Sequence, residues 1–157
     1  MSWRSRGWQF PPKDGADTAL RDIAFGVTAH VESRSRGTGE AGLSCRGDED
    51  TGTGYFFYLA RDGAARIVGQ QNGTPTELLP STGRTTELGD DPVRLEATCR
   101  ADRLTLWVNG TQVADVRDPS PLPENPRVQA GILVRIPDAG DDVLEVSFDD
   151  FTLYRAG

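Results

Sequence analysis

The 157-residue chain has no apolar run approaching the ~20 residues that cross a bilayer, and no apolar stretch follows its charged start. Membrane contact is expected only through an anchor outside this sequence. Histidine occurs once, at His30, which excludes a multi-histidine zinc site and leaves any Ser-His-Asp triad dependent on that one residue. No Gly-x-Ser-x-Gly elbow supplies a nucleophile for such a triad. His30 is out of phase with its apolar neighbours, beside Thr28 and Glu32, which marks it as a surface residue. Lysine also occurs once, at Lys13, among 17 basic residues, and 24 acidic residues leave a formal net charge of −7. Without a basic stripe to displace counterions, nucleic acid is not an expected partner. No amphipathic helix can be traced.

What the chain has is punctuation. Its 18 Gly and 10 Pro separate short β-branched and aromatic runs, the pattern of turns in an all-β protein. Val93 to Val116 is the clearest case, with three alternating strands and two tight turns. A turn at Arg100-Ala101-Asp102-Arg103 sets Cys99 opposite Leu104, Ala97 opposite Leu106, Leu95 opposite Val108 and, on the other face, Glu96 opposite Trp107. Asn109-Gly110 is a hairpin signal, because both turn positions must tolerate positive φ. It predicts Gln112 opposite Trp107 and Val113 opposite Leu106.

Further strands are expected over Leu20–Val31, Ala41–Arg46, Tyr55–Ala60, Ala65–Gly69, Val128–Ile136 and Leu144–Tyr154, with a weak one near Leu78-Leu79. Tyr55 to Ala60 is apolar on both faces, as in a strand covered from both sides or lining a cleft. In the last strand Leu144, Val146 and Phe148 point inward, and Phe151 and Leu153 regain that phase only if Asp149-Asp150 forms a bulge. About ten strands in one core imply two packed antiparallel sheets. Residues 1–17 read as a leading segment, with Trp8 and Phe10 able to pack, and residues 18–157 as a single β-sandwich domain. Cys45 and Cys99 are each in phase with inward apolar residues. Two readings stay open: a disulfide, which would indicate an oxidising compartment, or two buried thiols acting as small apolar side chains.

The ordered series AGLSCR, YFFYLARDGAARI, VRLEATCRADRLTLWVNGTQVADV, QAGILV and EVSFDDFTLY resembles the concanavalin A-like lectin/glucanase superfamily and its laminin G-like jelly rolls. Within it, the series is similar to extracytoplasmic domains of bacterial Ser/Thr kinases and lipoproteins. The resemblance covers about Leu20 to Tyr154. It implies an all-β, two-sheet antiparallel jelly-roll sandwich with a concave face that often binds glycans. It also implies a Cys45–Cys99 disulfide and hence a secreted or cell-surface location. Hydrolytic members carry a Glu-x-Asp-x-x-Glu cluster along one strand, which is absent here. Glu145 and Asp149 share an outward face but lie about 13 Å apart, too far for either glycosidase geometry.

The candidate binding residues are Trp107, Glu96 and Gln112, flanked by Arg94 and Thr105. An indole offers an apolar face to the CH side of a sugar ring, and a carboxylate and an amide bond its hydroxyls. The competing reading is a tryptophan covered by a loop and serving packing alone. Asp48-Glu49-Asp50, Asp141-Asp142 and Asp149-Asp150 are oxygen-rich loops of the kind that can hold structural calcium, or plain solvated acids; no other cofactor is expected. The sequence therefore favours a non-catalytic extracytoplasmic recognition or sensor module for a carbohydrate or cell-envelope component. A structural or protein-interaction domain is the alternative, ahead of a glycoside hydrolase.

Overall fold

The computed structural model describes residues 2–5, 22–48, 50–79, 85–122, 129–136 and 142–155. Every regular element among them is a strand: β1 (Ser2–Ser5), β2 (Ile23–Val31), β3 (Glu40–Asp48), β4 (Thr53–Ala60), β5 (Ala65–Gln71), β6 (Thr74–Leu79), β7 (Val93–Arg100), β8 (Arg103–Val108), β9 (Thr111–Arg117), β10 (Gln129–Arg135) and β11 (Leu144–Arg155). They form a six-stranded sheet in the order β1-β11-β2-β7-β8-β9 and a five-stranded sheet in the order β10-β3-β4-β5-β6, with every pairing antiparallel. This is the two-sheet sandwich that the alternation requires. Ser2–Ser5 adds an edge strand within the segment read as a lead-in, while residues 6–21, with Trp8 and Phe10, lie outside the described residues.

The alternating positions meet between the sheets. Ile23, Phe25, Val27, Ala29 and Val31 of β2 face Ala41, Leu43 and Cys45 of β3 and Tyr55, Phe57 and Leu59 of β4 in one buried core. Burying this many large side chains is the main source of stability, at roughly 1.5–3 kcal/mol for each. Cys45 and Cys99, both wholly buried, form a disulfide between β3 and β7 with Cα atoms 6.7 Å apart. It joins one sheet to the other across a sequence separation of 54. At one end of the sandwich the Tyr55 hydroxyl donates to Asp118 (2.7 Å) and accepts from the Leu122 amide (2.9 Å). Burial pushes this phenol up to about 12.

The β7–β8 register is the one read from the turn, residue for residue. On β9, Gln112 pairs with Trp107 as expected, but the pairing of Val113 with Leu106 is overturned. A bulge at Val113 shifts the strand by one, so Ala114 meets Leu106 and is buried there. A one-residue bulge reverses the inward-outward phase beyond it, and an Asn-Gly signal sets only the register beside the turn, so it cannot announce one. The Asp149-Asp150 bulge is present, with Asp150 at a φ of 52°. Leu153 returns to the core opposite Phe25, whereas Phe151 stays 41% exposed and corrects its expected inward placement. The bulge spans two residues, Asp150 and Phe151, between the pairs Asp149–Thr28 and Thr152–Gly26.

Candidate functional site

The outer face of the six-stranded sheet is assembled by register. One row across its strands reads Thr152, Gly26, Glu96, Trp107 and Gln112, and the next reads Tyr154, Ala24, Thr98, Thr105 and Asp115. Glu96 and Gln112 are exposed, and the Trp107 indole between them is half-buried. The structure therefore brings together the three residues picked from sequence. Among the described residues, no hydrogen bond occupies the Glu96 carboxylate, the indole N–H or the Gln112 amide. Thr105, a proposed flank, is buried in the neighbouring row.

Arg94 is placed differently. Its guanidinium donates to the Asp150 carbonyl (2.6 Å), the Thr152 hydroxyl (2.8 Å) and the Thr28 hydroxyl (3.4 Å), so it clamps the β11 bulge onto β2. Gly26 makes this reach possible, since a Cβ there would lie 2.8 Å from Arg94 Nη2. Two further cations of this face, Arg103 and Arg117, are engaged too. Arg103 is bound by Asp115 (2.5 Å), which holds that carboxyl below the usual range, and Arg117 by Asp102 (3.0 Å).

The outer face of the five-stranded sheet carries a cluster that sequence reasoning missed. Phe56 and Tyr58 stack with ring centroids 6.3 Å apart and, with Val68 and Leu133, form a second buried apolar cluster. Arg66 lies over the Tyr58 ring at 4.4 Å. The Glu40 carboxylate, 6% exposed, accepts from Arg66 Nε (3.0 Å) and Nη2, and from Arg135 Nη1 (2.8 Å). That bond holds Arg66 above its ordinary value, and burial pushes the Tyr58 phenol up. Gly42 passes beneath, where a Cβ would lie 1.7 Å from the Phe57 carbonyl oxygen. The available signal was the two-faced YFFYLA run, whose outward phenylalanine and tyrosine demanded a cover. The strand expected from Ala41 begins one residue earlier, at Glu40.

His30 Nε2 sits 3.1 Å from Glu32 Oε1, which also accepts from the Ser147 hydroxyl, so histidine and serine both converge on the carboxylate. That is not the order of a nucleophile, base and orienting acid. Among the described residues no group of three or more His, Cys, Asp or Glu could hold a metal, and Glu49 and Asp141 of the acidic loops lie outside them. Of the Asp141-Asp142 pair, the described carboxylate, Asp142, accepts instead from the Thr38 amide (3.1 Å) and hydroxyl (2.9 Å), which hold it low.

No protein-family model and no curated protein matches the sequence. Solved structures do match the fold. The carbohydrate-binding module CBM66 from Bacillus subtilis superposes with a TM-score of 0.71 at 17% identity, covering 97% of this chain and 84% of that one. Sheep galectin-11, in complex with glycerol, gives 0.58 at 14% identity over 96% and 98%. An alginate lyase, A1-II', of polysaccharide lyase family 7, gives 0.63 at 11% identity over 98% and 78%. At these identities the likeness is one of fold, and that fold is the concanavalin A-like jelly-roll sandwich.

Proposed function

We propose that this domain is a non-catalytic carbohydrate-recognition module working outside the cytoplasm, with its site on the outer face of the six-stranded sheet. The observation that carries this reading is the row Glu96, Trp107 and Gln112. It holds a partly exposed indole between a carboxylate and an amide with no hydrogen-bond partner among the described residues. A sugar needs that combination, an apolar plate for its CH face and acceptors and donors for its hydroxyls. A fold neighbour that is a carbohydrate-binding module supports it. The buried disulfide supports an oxidising compartment. No helix among the described residues is long and apolar enough to cross a membrane.

Glycan-array screening of the purified domain, followed by calorimetry on the hits, tests the reading. Trp107→Ala is expected to abolish binding while the disulfide and the cooperative unfolding transition persist. Retained binding by that variant sinks the site. Incubation with alginate, prompted by the lyase neighbours, is expected to yield no unsaturated product, and turnover would overturn the non-catalytic reading. A second reading, a protein-docking domain, draws on the exposed Phe151 and Tyr154, at 41% and 64%.

A further inference from the structure

Tyr154 is the most exposed large apolar side chain among the described residues, and register places it on the same outer face as Trp107. Three strand spacings separate β11 from β8, and the two side chains are offset by two residues along the strands. The span between them is therefore about 16 Å. Between these aromatics the floor consists of the small side chains Ala24 and Thr98, while Gly26 is buried beneath the Arg94 guanidinium and Glu96, which with Thr152 line one side. Gly26 must remain bare, because Arg94 occupies the space its Cβ would need.

We infer that this floor is a trough for a neutral polysaccharide chain, laid across β8, β7, β2 and β11 with one ring on Trp107 and a later ring on Tyr154. The inference rests on the glycan reading above and extends it from a single sugar to an extended chain. A monosaccharide cannot touch both aromatics, whereas a short oligosaccharide can. Charge selects the neutral class. Arg94, Arg103 and Arg117 are held by their partners, and Arg100 is engaged as well. Glu96 and the exposed pair Asp149 and Asp150 leave carboxylates facing solvent. An acidic sugar would meet these anions with no cation in reserve among the described residues, while a neutral chain supplies hydroxyls that donate to them.

Calorimetry with cello-, laminari- and manno-oligosaccharides, from disaccharide to hexasaccharide, tests the trough, with an alginate hexasaccharide as the acidic probe. For the series that binds, the hexasaccharide is expected to bind about tenfold tighter than the disaccharide. Tyr154→Ala is expected to erase that gain and leave disaccharide affinity unchanged, while Trp107→Ala loses both. Tyr154 is exposed, so this variant keeps its fold, which circular dichroism verifies. Length-independent affinity that still depends on Trp107 overturns the trough and leaves sugar recognition at Trp107 standing. Tighter binding of alginate than of every neutral probe overturns the neutral class. If no neutral probe binds, both readings fall; self-association by sedimentation that Tyr154→Ala abolishes would then assign the face to a second copy of the chain.

Discussion

On the outer face of the five-stranded sheet Phe56, Tyr58, Val68 and Leu133 are buried and Glu40 is matched by two arginines. On the corresponding face of the six-stranded sheet Glu96, Gln112 and Tyr154 meet solvent and Trp107 is partly exposed. Both faces combine aromatic rings with charged groups, so composition alone does not tell them apart. The difference is whether the polar groups are already spent. The first face uses its carboxylate and guanidinium groups on each other, and the second leaves a carboxylate, an amide and an indole N–H for another molecule.

Substitutions should separate the faces most sharply by stability. Phe56→Ala empties a buried site and is expected to cost about 3–5 kcal/mol in urea denaturation. Equal losses from Phe56→Ala and Trp107→Ala would erase the distinction. The Cys45→Ala, Cys99→Ala double variant is expected to lose about 4 kcal/mol, given the chain it closes, and it bears on both sheets alike. Glu40→Gln leaves two guanidinium groups facing each other beside a tyrosine and is expected to cost about 3 kcal/mol. On the open face, Gly26→Ala forces Arg94 off the β11 bulge, at about 1–3 kcal/mol. Trp107→Ala should cost about 1.5–3 kcal/mol, less than Phe56→Ala, while removing glycan affinity, because its indole is partly exposed.

Alkali should act through buried phenols. The folded Tyr55 and Tyr58 both lie above the ordinary tyrosine value, so the folded state holds these protons more tightly than the unfolded chain. Their contribution is intact below pH about 10 and is lost as pH rises through the folded values, beginning with the Tyr55 value of about 12. Denaturation curves across that window should show falling stability in the wild type and a shallower fall in Tyr55→Phe.

Much of the open face was legible in the sequence because it is built by local hairpins. The turn at Ala101-Asp102 and the Asn109-Gly110 turn set Glu96, Trp107 and Gln112 side by side with short-range information only. The bulge at Val113 escaped because the Asn-Gly turn sets pairing only beside itself, although strict alternation from Val113 would have turned Asp115 to the core and Ala114 and Val116 outward. Arg94 was read as a ligand contact, yet its partners come from β2 and from β11, 56 to 66 residues away. The closed face was hidden for the same reason. Glu40 meets Arg66 across 26 residues and Arg135 across 95, and only the assembled sheet order makes them neighbours. The two-faced YFFYLA run did announce that this sheet buries both sides, without naming the ion cluster around it.

The central claim is that ligand engages the six-stranded sheet. Titrating a neutral oligosaccharide identified by the array into isotopically labelled protein, and following the NMR spectrum, tests it most directly. Shifts centred on the Trp107 indole N–H, the Gln112 amide, Glu96 and Tyr154, with Phe56, Tyr58 and Leu133 unmoved, are the predicted result. Shifts centred on Tyr58, Arg66 and Leu133, with the Trp107 indole unmoved, would contradict it.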